Sequence, residues 1–237
     1  MKKSVVLLIF ILSSSAIFGQ LKFGAKGGIN NNNVRYSAPS GLKEPSIESK
    51  YGFYLGGTVE YQITENLALL SGLNFTVRGF KAKSEEYTVG RNTVAGYSAD
   101  YSANYLDIPL NLKYNYTLFG YQFYGTGGFL AGFKVSESSN TATETKSTGV
   151  PVIIITTVSS NSLEGVKSTS AEQTSTEDYF GSTLYSLSLG IGMEIPISSF
   201  FIAPEINYNF GLNKVNKPEG FGDTKLRDFM IGLAFKF

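Results

Sequence analysis

Residues 105–114 read YLDIPLNLKY, with apolar and polar side chains alternating without a break. Leu106, Ile108, Leu110, Leu112 and Tyr114 share one face, and Asp107, Pro109, Asn111 and Lys113 share the other. A period of two marks a strand lying between two unlike environments. The same alternation recurs in eight segments, roughly 21–35, 51–63, 67–80, 104–116, 121–135, 181–195, 200–212 and 226–237. Each meets or exceeds the ~9–11 residues that a tilted strand needs to cross a bilayer.

The connections alternate as well. Thr64–Asn66, Thr117–Gly120 and Pro196–Ser199 are tight turns, whereas 36–50, 81–103, 136–180 and 213–225 are long. Short turns at one end and long loops at the other are the pattern of an outer-membrane barrel, and an even strand count puts both ends of the chain on the short-turn, periplasmic side.

The apolar face of an eight-stranded barrel can point inward around a ligand or outward to lipid. Here the polar face is small and Gly-rich and carries isolated charges of both signs. These are Lys22, Lys26, Arg78, Lys113, Lys134 and Lys236 against Glu60, Asp107, Glu194, Glu205 and Asp228. The apolar face is almost free of charge. A Lys or Arg there would cost ~2–4 kcal/mol at mid-bilayer, a penalty that a soluble barrel does not feel. The reading is an all-β, eight-stranded antiparallel transmembrane up-and-down barrel. Its apolar faces meet lipid, and its lumen is filled by small residues and a structural network of paired charges.

The chain opens MKKSVVLLIFILSSSAIFGQ: two lysines, an apolar run and a small-residue exit. That is the form of a secretory signal peptide over 1–19, followed by one barrel domain over 20–237. No cysteine is present, so neither disulfides nor acylation on Cys is available. No histidine is present either, which excludes a Ser–His–Asp site and His/Cys metal centres. Asp107 and Glu205 form a conceivable acid/base pair, outweighed by a space-filling role because buried charges are normally paired. Gly125-Thr126-Gly127-Gly128 and Gly190-Ile191-Gly192 lack the following helix and the GK[ST] element of a nucleotide loop, and read as strand glycines. No catalytic residue, cofactor or metal is expected. A net charge of +1 gives no pull toward nucleic acid.

Pro109 and Pro204 cannot donate to a ladder, so a bulge or bend is expected at each. Within the 136–180 loop, Val152, Ile153, Ile154 and Ile155 form a β-branched run. It suits either a hairpin extending the fifth and sixth strands or an exposed edge that pairs with an extracellular or envelope protein partner. Glu137, Glu144, Glu164, Glu172, Glu177 and Asp178 read as a solvated face of that loop.

YLDIPLNLKY (105–114), FYGTGGFLAGF (123–133), the opening FGAKGGINNNNV (23–34) and the terminal MIGLAFKF (230–237) resemble the Bacteroidetes-type outer-membrane β-barrel family, often called PorT-like. The resemblance implies an eight-stranded barrel in a Gram-negative outer membrane and no single activity. The family's namesake is linked to protein secretion. The alternating aromatic end, with Phe235 and Phe237, resembles the signal read by the barrel assembly machinery. The expected role is non-enzymatic: surface loops making adhesive, protective or envelope-assembly contacts. A narrow porin-like channel and an accessory role in secretion are the alternatives.

Overall fold

The computed structural model describes residues 20–37, 45–85, 87–89, 92–94, 96–144, 152–153, 171–175, 179–215 and 223–237. The expected signal segment 1–19 lies outside them, as do Ile154 and Ile155. The described residues form strands β1 (Leu21–Ser37), β2 (Ser46–Gln62), β3 (Leu67–Ser84), β4 (Tyr87–Val89), β5 (Asn92–Val94), β6 (Gly96–Leu118), β7 (Tyr121–Glu144), β8 (Val152–Ile153), β9 (Ala171–Ser175), β10 (Thr183–Ile197), β11 (Phe200–Gly211) and β12 (Asp223–Lys236).

Eight of these close into an antiparallel barrel in the order β10-β11-β12-β1-β2-β3-β6-β7, with β7 pairing back onto β10. Closure leaves the spanning strands no unpaired edge, the condition for backbone to sit in lipid. The first and last strands meet, and Phe23 and Phe237 exchange backbone hydrogen bonds of 3.1 and 2.9 Å. At the same end the turns are short. Phe119 and Gly120 both have positive φ (51° and 79°), as a two-residue type I′ hairpin requires.

The alternation sorts side chains as the pattern predicts. Leu106, Ile108, Leu110, Leu112 and Tyr114 are exposed, while Asp107, Asn111 and Lys113 are buried. The same holds on β12, where Phe229, Ile231, Leu233, Phe235 and Phe237 point out and Asp228, Met230, Ala234 and Lys236 point in. An exposed face this apolar is stable only against lipid.

The prolines differ from expectation. Pro109 stays in register with Leu130 on β7, and Pro204 with Leu233 on β12. On the other side of each strand the ladder lapses around the proline and resumes unshifted, from Ser71↔Leu110 to Asn74↔Asp107 and from Gly192↔Glu205 to Ile195↔Ile202. A missing N–H donor removes a bond without requiring an extra residue. Ser71 Oγ donates to the Pro109 carbonyl at 2.8 Å beside the first gap. The register shifts lie higher, at Ser49/Tyr54 on β2 and at Asn104/Tyr105 opposite β7.

Above the membrane the sheet continues. β6 and β7 run 23 and 24 residues, roughly twice a bilayer crossing, so parts of the expected 81–103 and 136–180 loops are strand. β9 pairs with the upper part of β7. Val152 and Ile153 pair in parallel with Thr93 and Val94 of the β4–β5 hairpin rather than extending the fifth and sixth barrel strands.

Candidate functional site

The lumen holds the molecule's densest chemistry, arranged in layers. In the periplasmic half, Glu60 (β2), Lys113 (β6), Glu194 (β10) and Lys236 (β12) meet from four strands. Lys113 Nζ reaches Glu60 Oε1 at 2.9 Å and Glu194 Oε1 at 2.5 Å. Lys236 Nζ reaches Glu60 Oε2 at 3.1 Å and Glu194 Oε1 at 2.6 Å. Each ammonium thus touches both carboxylates. Both also lie 4.7 Å from the ring centre of Tyr124, whose face supplies further negative potential. Tyr124 can cross the lumen because Gly192, its register partner on β10, leaves the space that a Cβ would occupy.

Beside this group, Lys26 pairs with Glu205 at 3.3 Å, and the hydroxyls of Tyr54 and Tyr124 each donate to Glu205 at 3.4 Å. Lys22 stands opposite Glu60 in register, with its Nζ 5.6 Å from the Phe201 ring centre. The middle of the lumen is lined by Asn74, Asn111 and Thr126, packed against glycines on neighbouring strands. The two glycine runs serve here. Gly190 pairs with Thr126, and both lie beside Asn207.

In the extracellular half, Arg78 (β3) carries two carboxylates. Its Nη1 and Nη2 donate to Asp107 at 2.9 and 2.8 Å, and its Nε donates to Asp228 at 2.6 Å. Thr76 Oγ1 adds a 2.7 Å bond to Asp107, and the guanidinium lies 5.4 Å from the Tyr105 ring centre. The planar fork of arginine is the side chain that can serve two carboxylates at once with defined geometry.

Above Arg78 the mouth is apolar. Phe80, Ala103, Tyr105, Phe180, Leu184, Val215 and Leu226 form one buried cluster. Phe180 comes from the segment before β10. It packs on Phe80 at 6.0 Å and on Tyr179 at 5.4 Å between ring centres, and Tyr179 stacks on Tyr101 at 4.3 Å. Glu137 fixes that segment, accepting the backbone N–H groups of Tyr179 and Phe180 at 2.6 and 3.1 Å. Lys134 Nζ bridges Glu137 at 2.7 Å and the Phe180 carbonyl at 2.8 Å.

All eleven charges expected on the inner face lie inside the wall, but they form separate groups rather than one network. Asp107 and Glu205, considered as an acid/base pair, belong to different groups. Lys134 pairs with Glu137, so Glu137 is a buried clamp and not part of a solvated loop face. Sequence reasoning missed the stopper at the mouth. Its only trace was the Tyr179-Phe180 pair, which sat inside a segment read as loop. Tyr54 and Tyr124 were legible in principle as aromatics at polar-face parity. Among the described residues, no cluster of His, Cys, Asp or Glu is placed to hold a metal ion.

A closed eight-stranded antiparallel barrel with an apolar exterior and a filled, charge-balanced lumen is the architecture of a small outer-membrane protein. The chain belongs to the outer membrane protein beta-barrel domain family, whose model matches residues 13–217, and that membership places it in a Gram-negative outer membrane. Solved structures similar in fold include Neisserial surface protein A (12% identity, covering 90% of this chain and 95% of that one, TM-score 0.40). Others are the attachment invasion locus protein Ail of Yersinia pestis, in complex with the heparin analogue sucrose octasulfate (16%, 92% and 99%, 0.37), and OprG of Pseudomonas aeruginosa (15%, 91% and 95%, 0.40). A comparison with curated proteins finds no match.

Proposed function

We infer that this protein is a non-enzymatic outer-membrane barrel acting through contacts made by its extracellular extension, in adhesion, surface protection or envelope assembly. The observation that carries this reading is the closed lumen. Five cations (Lys22, Lys26, Arg78, Lys113 and Lys236) face five carboxylates (Glu60, Asp107, Glu194, Glu205 and Asp228), and an aromatic cluster stops the outer mouth. Solute passage would require breaking buried ion pairs. The sheet meanwhile continues outward on β6, β7 and β9, which gives a partner a structured surface.

On this reading residues 1–19 direct export, and the aromatic end with Phe235 and Phe237 engages the barrel assembly machinery. YLDIPLNLKY and MIGLAFKF support placement with the PorT-like barrels. The lumen charges serve the fold rather than chemistry. The run Val152–Ile155 contributes to the partner-facing surface, with Val152 and Ile153 already paired to β5.

The test is cross-linking in native outer membranes, comparing the intact chain with one lacking 140–175. Partners captured by the intact chain and lost with the deletion support the reading. Identical capture by both, or capture of secretion components only, contradicts it.

A further inference from the structure

Among the described residues, outward-facing charge on the barrel strands appears only beyond the lipid band, and at the extracellular end it is unevenly distributed. On the β2–β3–β6 side each cation has a carboxylate: Lys50 with Asp100 at 2.5 Å, Lys81 with Asp100 at 4.0 Å, and Lys83 with Glu48 at 2.9 Å. On the β1–β12 side Arg35, Lys225 and Arg227 share one outward face, and no ion pair joins them among the residues whose side chains are described; Asp223, opposite Ser37, stands two residues beyond Lys225 in the register. Arg35 stands directly opposite Lys225, and Arg227 opposite Asn33. Like charges facing each other across two strands repel and weaken the pairing that closes the barrel.

Their height points to what would relieve that repulsion. Below Arg227 on the same face come Phe229, Ile231, Leu233, Phe235 and Phe237, a nine-residue run that matches one bilayer crossing. Arg227, Lys225 and Arg35 therefore sit where the hydrocarbon ends and outer-leaflet headgroups begin. Two arginines and a lysine neighbouring one another in register at that level suit phosphate, which arginine binds through paired N–H donors.

We propose that Arg35, Lys225 and Arg227 form a binding site for the phosphate groups of an anionic glycolipid of the outer leaflet. Its acyl chains lie along Ile29, Phe229 and Ile231, and its charge relieves the repulsion at the β1–β12 seam.

The test uses the full chain, folded in nonionic detergent and titrated with bis-phosphorylated lipid A and with its dephosphorylated form, with bound glycolipid read by native mass spectrometry. Wild type should prefer the phosphorylated form. The triple variant R35Q/K225Q/R227Q should lose affinity on the order of 100-fold, from a factor of roughly 5 for each cation. The control K81Q/K83Q should stay within about threefold, since surface pairs contribute little. Both variants must migrate as folded barrels in unheated gels, and the wild-type comparison of the two glycolipids decides the matter even where a variant does not fold. Equal wild-type affinity for both forms, an equal loss in the control, or displacement of the glycolipid by inorganic phosphate at matched phosphate concentration overturns the proposal.

Discussion

The two charged layers of the lumen meet the same requirement in opposite ways. The periplasmic layer interleaves two lysines with two glutamates, so that each charge has two partners and any one lysine is backed by the other. The extracellular layer hangs two aspartates on one arginine. Buried ions are costly to leave unpaired, and the difference between the layers is how many are stranded when one residue is lost. Redundancy makes the lower layer tolerant, whereas reliance on one side chain makes the upper layer brittle.

The largest effect should come from Arg78→Met, which strands Asp107 and Asp228 together. An unfolding free energy lower by about 3–5 kcal/mol is expected. With no tryptophan in the chain, unfolding is followed by far-UV circular dichroism in lipid vesicles titrated with urea. Lys113→Met should cost less, about 1–3 kcal/mol, because Lys236 still reaches both Glu60 and Glu194. Equal losses for the two variants in the same titration would dissolve the contrast between the layers. Tyr124→Leu sharpens it, since it removes the ring beneath both lysines and leaves every ion pair in place. A loss of roughly 1–2 kcal/mol is expected by the same measurement. The smallest effect belongs to Lys83→Ala on the exterior, whose partner Glu48 is equally exposed. The change should be about 0–1 kcal/mol and should vanish in high salt.

Much of this arrangement was legible in YLDIPLNLKY and its sister segments, because a period of two on a closed sheet leaves each residue only two places to go. Leu110 faces lipid and Lys113 the lumen for that reason alone. Which charges meet was not legible. Glu60 and Glu194 come together through strand tilt and stagger, which depend on the whole barrel rather than on any one strand. Strand ends were underestimated for a related reason. Above the membrane no lipid enforces alternation, so Ser98 to Ala103 and Ser136 to Thr143 read as loop while their backbones still pair. Pro109 looked like a bulge because a missing donor and an extra residue leave the same trace in sequence. Phe180 and Val215 stop the mouth through contacts between two connections, which carry no periodicity.

The central claim is that the lumen is closed by its own side chains. Recording single insertions of the full chain in planar lipid bilayers tests it most directly. The expected result is insertion without steady open-channel current. Reproducible, long-lived conductance steps from folded wild-type protein would contradict it and would point to a channel.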